Sequence, residues 1–310
     1  MLQFSFECLN SQTAVVAKIL DSAFAVESYV KSFPHIFSKN SSALLACART
    51  SGGTLVGLCS VDTESWSEPR SLRGACIGSV AVDPSAQGQG VGTALLSWVI
   101  NELRMRRCQD VIYLFSEENR FYERLGFTAV GRERLFAFER GFAKSPERDD
   151  IQLSELRRTT EISQTELRDL WYALERMRLS GESHAGWLKL LQVCTIPDLW
   201  VTWISQRTSG QILAGGFVGK GIDFQGVMHN LFASSATALN DFFQSFCKCH
   251  KELSSNVLVA PGLWVDCVPQ ECALRAEQNL CYVLPLRANA SSCAHLFNEG
   301  QLYPRSLFSS

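Results

Sequence analysis

Ile77-Gly-Ser-Val-Ala-Val-Asp-Pro-Ser-Ala-Gln-Gly-Gln-Gly-Val-Gly-Thr-Ala-Leu-Leu96 runs from a strand, through a glycine-rich turn, into a helix. Cys76 to Val82 are small or β-branched, and Asp83-Pro84 ends the strand because Pro84 has no N–H for a ladder. The turn Gln87-Gly88-Gln89-Gly90-Val91-Gly92 follows, and then Leu95, Leu96, Val99, Ile100 and Leu103 recur at helical spacing as one apolar stripe. The N–H groups of a first helical turn have no partner inside the helix, and the macrodipole adds about half a positive charge there. Glycines let a ligand approach that backbone closely, so the segment reads as an anion site the size of a pyrophosphate.

Spacing separates the pyrophosphate sites that such a segment could form. A nucleotide P-loop needs Gly-Lys-Ser/Thr, whereas Gly92 is followed by Thr93 and Ala94. A dinucleotide fingerprint needs G-x-G-x-x-G in the first strand–helix unit, and Gly88-Gln89-Gly90-Val91-Gly92 has the wrong last interval. Gln87-x-x-Gly90-x-Gly92 instead resembles the Q/R-x-x-G-x-G/A loop with which the GNAT acetyltransferase superfamily wraps the pyrophosphate of coenzyme A. A second strand, Val111 to Phe115, follows, and then Asn119-Arg-Phe-Tyr-Glu-Arg-Leu-Gly-Phe127, which resembles the family's FYexLGF helix. The likeness covers roughly residues 43–138; the first forty residues match by strand–helix order alone.

The resemblance implies acetyl-CoA as cosubstrate. It places the pyrophosphate on Gln87, Gly88, Gln89, Gly90, Val91, Gly92 and Thr93, and the pantetheine arm along the backbone of Val80, Ala81 and Val82, where the strand splays from its neighbour. Asn119 and Phe121 complete that set, and Tyr122 is the implied catalytic acid that protonates the departing thiolate. Read from the residues alone, Phe121 and Leu125 share one helical face, Gly126 caps the helix, and Phe127 returns to the core. Tyr122, one position off that face, is expected to look outward.

The implied reaction is attack of a neutral amine on a thioester, with a strand N–H stabilising the developing oxyanion. No residue from Ala75 to Val82 is acidic, so the strand-borne glutamate of many relatives is missing. An amine of pKa about 10.4 is only about 0.04% neutral at pH 7, against more than about 10% for an α-amine of pKa about 7.8. Either the acceptor has a low pKa or a base comes from elsewhere, with Glu64, Glu117, Glu118 and His35 as candidates. The rival reading of the same loop is a non-catalytic acyl-CoA-binding sensor.

Outward from this segment, the 310 residues are 46% hydrophobic and 19% charged, enough for two globular domains. A formal net charge of -2 excludes a basic nucleic-acid or anionic-membrane binder. No stretch reads as an apolar spanning helix or as a leader, and the twelve cysteines show no framework spacing, so a cytoplasmic protein with reduced thiols is expected. Arg49-Thr50-Ser51-Gly52 recurs as Arg207-Thr208-Ser209-Gly210, each time between two strand-like runs, and a strand entering a helix precedes each hairpin.

We therefore expect an α/β (α+β) chain of two GNAT-like domains, each a mostly antiparallel twisted sheet flanked by helices. Residues 1–140 form the acetyltransferase domain, 141–150 a linker, 151–290 a degenerate copy and 291–310 a tail. The second half has neither motif, and Asp223, Gln225 and His229 alternate along a strand that could line an acceptor cleft, although the same pattern suits satisfied polar residues at a strand edge. Cys247-Lys-Cys-His250, with Cys267 and Cys272, is not expected to bind metal, because residues two apart on a helix point about 200° apart. The acceptor is an amine-bearing small molecule or a peptide N-terminus.

Overall fold

The computed structural model describes residues 1–8, 13–38, 41–66, 71–116, 118–138, 148–177, 186–249, 256–259, 268, 272–287 and 293–298. The chain is a mixed α/β protein built on two antiparallel-rich sheets flanked by helices. The first sheet runs β1 (Leu2–Glu7), β2 (Leu44–Thr50), β3 (Leu55–Trp66), β4 (Leu72–Val82), β5 (Val111–Leu114), β15 (Cys281–Pro285) and β6 (Thr128–Val130). The second runs β8 (Ile151–Leu153), β10 (Trp200–Gln206), β11 (Ile212–Lys220), β12 (Asp223–Ala233), β13 (Asn256–Val259), β7 (Glu133–Phe138) and β14 (Cys272–Gln278), with β9 (Arg157–Arg158) also on β10.

The two orders are equivalent. In each, the fourth and fifth strands are the parallel pair, β4 with β5 and β12 with β13, and all other pairings are antiparallel. Both copies of the Arg-Thr-Ser-Gly turn join antiparallel strands, β2 to β3 and β10 to β11, as the repeat implies.

The sixth position of each sheet is filled by a strand from the other half. Residues 141–150 therefore do not separate the sheets as the sequence reading has it: β7 precedes them yet lies in the second sheet, and β15 follows them yet lies in the first. Two short links make the exchange. Gly131-Arg132 leads from β6 to β7, and Asn279-Leu280 leads from β14 to β15. They pack on each other: Leu280 N–H donates to the Val130 carbonyl at 3.1 Å. Gly131 has φ 65, and a Cβ on it would lie 2.8 Å from the Leu280 side chain, so glycine meets both the conformational and the spatial demand.

Helix α4 (Val91–Arg106) buries Leu95, Leu96, Val99, Ile100 and Leu103 on one face of the first sheet, as its stripe dictates. The other face is covered by α1 (Thr13–Phe24), α2 (Tyr29–Ser32) and α3 (Pro34–Phe37). In the second half, α6 (Gln164–Arg176) and α7 (Trp187–Val193) pack on one face of the sheet and α8 (Ala236–Cys249) on the other. A capping box between Ser163 and Glu166 starts α6. Two short helices, α5 (Asn119–Glu123) and α9 (Cys293–Asn298), complete the set.

Candidate functional site

The glycine turn is built for close approach. Gly88 and Gly90 have φ 76 and 78, and a Cβ on either would meet nothing within 4 Å. Such conformations cost little only for glycine. Gly90 is also the N-cap of the 16-residue α4 and, having no side chain, leaves the first-turn N–H groups without a side-chain cap. Gln87 Nε2 donates to the Val82 carbonyl at 3.1 Å, and Gln89 Nε2 donates to the Ser85 carbonyl at 3.0 Å, which fixes both ends of the turn. Gln87, Gly88, Gln89, Gly90 and Thr93 are exposed, whereas Val91 is buried and holds the helix to β3. These features suit a diphosphate, and a larger side chain at Gly90 would fill the approach.

Upstream, β4 parts from its neighbour. It pairs with β5 only from Gly74 to Cys76, leaving Ile77 to Val82 without a strand partner on that side among the described residues. On the opposite edge the register to β3 slips: Leu58 faces Ala81 but Ser60 faces Gly78, so Cys59 stands against both Ser79 and Val80. This is a β-bulge, and its Ser79 holds φ 49, a strained value for a residue with a side chain. Along this stretch the main-chain groups of β4 that point away from β3 have no strand partner among the described residues, as an extended amide-bearing arm requires.

The second motif touches the first. A Cβ on Gly92 would lie 3.6 Å from Cζ of Phe121, so the Phe121 ring closes over the start of α4. Gly126 takes φ 92 and ends the helix, and Phe127 is buried, as read from the sequence. Tyr122 corrects the reading: it is 7% exposed and lies in the core, whereas Phe121 and Leu125 are only half-buried. Helix α5 spans five residues, too short for a two-faced periodicity, and the Tyr122 ring is enclosed by Phe127 at 6.0 Å and by Tyr282 of β15 at 6.1 Å. Burial pushes the phenol up to about 12, with the Ser116 side-chain hydrogen bond opposing. It stays protonated throughout the neutral range. Of Asn119 only the backbone is described.

On the α1–α3 face, the bulge is polar. Tyr29 Oη and Ser79 Oγ are hydrogen-bonded at 3.2 Å, and both residues are buried. Ser60, opposite Gly78, is fully buried, and no bond to its Oγ is present among the described residues. Two residues along β3, buried Asp62 is ion-paired with Lys189 of α7, so the second half reaches directly over this face. Sequence reasoning singled out none of Tyr29, Ser60, Asp62 or Lys189. Among its candidate bases, Glu118 is exposed at the N-cap of α5, and His35 is buried in α3 against Phe33. Glu117 and the side chain of Glu64 lie outside the described residues.

The polar strand of the second half does not line a cleft at His229. That residue is fully buried, stacks on Phe224, and its Nε2 is 2.9 Å from the Gly219 carbonyl. Burial lowers its pKa to about 4, so it is a neutral core histidine. Gln225 is exposed, and the side chain of Asp223 lies outside the described residues. Cys247 and Cys249 sit on α8 as expected, Cys272 is buried on β14, and His250 and Cys267 lie outside the description. Among the described residues no cluster of His, Cys, Asp and Glu could hold a metal, and no helix is long and apolar enough to cross a membrane.

Comparison with known proteins agrees with this geometry. Residues 40–129 match the family described as an acetyltransferase (GNAT) domain. No curated protein sequence matches the chain. Among solved structures, a conserved protein of unknown function from Enterococcus faecalis V583, called a probable N-acyltransferase, is 12% identical with a TM-score of 0.71 over 92% of this chain and 73% of that one. A GCN5-related N-acetyltransferase from Kribbella flavida is 17% identical, TM-score 0.67, over 95% and 73%. A tandem GNAT protein from the clavulanic acid biosynthesis pathway is 11% identical, TM-score 0.60, over 93% and 99%. These likenesses establish the fold along nearly the whole chain, and the match to the acetyltransferase (GNAT) domain family is confined to residues 40–129.

Proposed function

We propose that the protein is an acetyl-CoA-dependent N-acetyltransferase that moves an acetyl group to a primary amine of a small molecule or a peptide N-terminus. The observation that carries this reading is the open turn at Gly88 and Gly90, set on the N-terminus of α4 directly beyond the unpaired stretch of β4. In this reading acetyl-CoA supplies an activated acyl thioester.

The chain's own residues do the rest. N–H groups from Gly88 to Thr93 hold the diphosphate, and the backbone of Val80 to Val82 orients the arm. Tyr122, kept protonated by its burial, gives its Oη proton to the leaving sulfur. The second half is a copy that has lost the cofactor turn and covers the α1–α3 face through Lys189. The whole works in the cytoplasm.

The test is a thermal melt with acetyl-CoA followed by a thiol-release assay with spermidine, glucosamine, benzylamine, aniline and a tetrapeptide with a free N-terminus. Stabilisation with thiol release on at least one amine supports the transferase. Stabilisation without release on any amine favours the sensor reading, and no stabilisation removes both.

A further inference from the structure

On the face of the first sheet away from α4, one buried hydroxyl has nothing to bond. Ser60 of β3 is fully buried, and its Oγ has no hydrogen-bond partner among the described residues. The polar side chains beside it on that face are engaged. Asp62 Oδ1 accepts from the Thr63 N–H at 2.9 Å and its Oδ2 holds the Lys189 ammonium, while Ser79 Oγ is bonded to Tyr29 Oη at 3.2 Å. A buried hydroxyl deprived of both water and a protein partner costs stability that an alanine of nearly the same shape does not. Packing is served as well by alanine, so the hydroxyl is accounted for by a partner from outside the chain.

Strand register places this hydroxyl at the opening. Ser60 faces Gly78 and Asp62 faces Cys76, and β4 leaves β5 between those two levels: Cys76 is its last residue paired with β5, and Gly78 belongs to the unpaired stretch. Side chains alternate along β3, with Cys59 and Val61 in the core under α4 and Leu58 in the core under α1–α3. Ser60 and Asp62 therefore point to the α1–α3 face. Ser79 points the same way, since it meets Tyr29 of α2. Gly78 sets no side chain between Ser60 and the unpaired edge of β4, one strand spacing of about 4.8 Å away. An arm running from the glycine turn along Val82 to Val80 ends at the level of Ser60, with Asp62 and Lys189 of α7 one step beyond.

We infer that Ser60 binds the amine substrate, and that this substrate is a monoamine with an oxygen, hydroxyl or ether, on the carbon next to the one that bears the nitrogen. The inference rests on the transferase reading. A nucleophilic amine turns its lone pair to the thioester, which leaves its N–H bonds to be held, and Ser60 Oγ accepts one of them. A serine hydroxyl also donates one proton. The protein oxygens beside it are already bonded, those of Asp62 to Thr63 and Lys189 and that of Ser79 to Tyr29, so the proton goes to an oxygen of the substrate. One Oγ reaches both substrate atoms only when they are neighbours, as in a vicinal amino alcohol. Charge narrows the class further: Lys189 neutralises Asp62, so this row holds no unpaired carboxylate for the second ammonium of a polyamine. Binding then gains two hydrogen bonds on a group that the free protein leaves unpaired and already in place.

The test compares wild type with Ser60→Ala on two amines of one ring size, trans-2-aminocyclohexanol and cyclohexylamine, at saturating acetyl-CoA and with rates referred to the free-base amine. Wild type should prefer the amino alcohol in kcat/KM by at least about 10-fold, and should prefer it to spermidine. The variant should lose about 10- to 100-fold on the amino alcohol, the size expected for two buried hydrogen bonds, and no more than a few-fold on cyclohexylamine. Thermal melts give a readout apart from turnover: free Ser60→Ala should melt at or above the wild-type temperature, because it loses an unpaired buried hydroxyl, with acetyl-CoA affinity unchanged by calorimetry. A variant that keeps the wild-type preference overturns the assignment of Ser60, as does one that melts well below wild type, since the hydroxyl then has a partner in the free protein. Turnover of panel amines with no preference for the amino alcohol, or with spermidine faster, overturns the substrate class. A wild type that binds acetyl-CoA yet acetylates no amine removes the transferase reading together with this one, which keeps the two failures apart.

Discussion

The two junctions between fourth strand and following helix share a frame and differ in filling. The strand exit is pinned alike: Asp83 N–H donates to the Val56 carbonyl at 2.9 Å and Ser234 N–H to the Leu213 carbonyl at 2.8 Å. Both strands carry a left-handed residue with a side chain, Ser79 and Asn230, each with φ 49, beside a register slip. Beyond that they part. In the first half the turn through Gly88 and Gly90 delays the helix and leaves its first N–H groups without a side-chain cap. In the second, α8 begins at Ala236, and Ser235 Oγ accepts from the Ala238 N–H at 3.1 Å. The anion site is replaced by an ordinary side-chain cap. The register also sets Phe232, facing Gly215, where the first sheet has Ala81 facing Leu58, and the Phe232 ring packs on Phe217 in a closed core. The serine cap stands where the first half has an open helical turn, and on the face away from α8 the Phe232 ring fills core space where the first sheet has only Ala81.

Phe232→Ala should have the largest effect, because it opens a cavity in the core under α6 and α7, beside the second-half junction. A loss of about 3–5 kcal/mol is expected for a buried phenylalanine, read from urea unfolding, with acetyl-CoA affinity within a few-fold of wild type. A parallel loss of affinity would mean that the two junctions are not independent. Gly90→Asp attacks the open one, placing a carboxylate and a Cβ at φ 78 where the diphosphate approaches. Calorimetry should show at least about 100-fold weaker acetyl-CoA binding with the fold retained, and unchanged affinity would move the diphosphate elsewhere. Tyr122→Phe keeps the packing against Phe127 and Tyr282 while removing the phenolic proton. Its kcat should fall by about 10², the low end for acid catalysis, since a thiolate of pKa about 8.5 is already a fair leaving group. Steady-state rates at constant acetyl-CoA affinity decide this, and an unchanged kcat would leave Tyr122 a core residue.

The strand, turn and helix around residues 77–96 were legible because their determinants are local: a proline stop, glycines at positive φ, and a 3.6-residue apolar period. The repeat was legible for the same reason, since each Arg-Thr-Ser-Gly sits inside its own hairpin. The exchange was not. Gly131-Arg132 and Asn279-Leu280 look like ordinary strand connections, and nothing near them tells which sheet the next strand will join. Tyr122 was misplaced because its enclosure depends on Tyr282, a residue distant in sequence, and His229 stayed open between a cleft wall and a satisfied polar residue because alternation along a strand cannot separate the two. Ser60 escaped notice as one serine within β3, and only the pairing with β4 sets its hydroxyl opposite Gly78.

The exchanged strands bear on how the chain comes off the ribosome. Strand β5, at residues 111–114, is made roughly 170 residues before β15, at residues 281–285, which lies between it and β6. At about 5–20 residues per second, β5 and β6 wait roughly ten to thirty seconds with unsatisfied edges. Bare edges of this kind template pairing with other chains. Nascent protein is therefore most vulnerable to aggregation during that interval, and a ribosome stalled in the second half would release a first half that lacks a strand from the middle of its sheet.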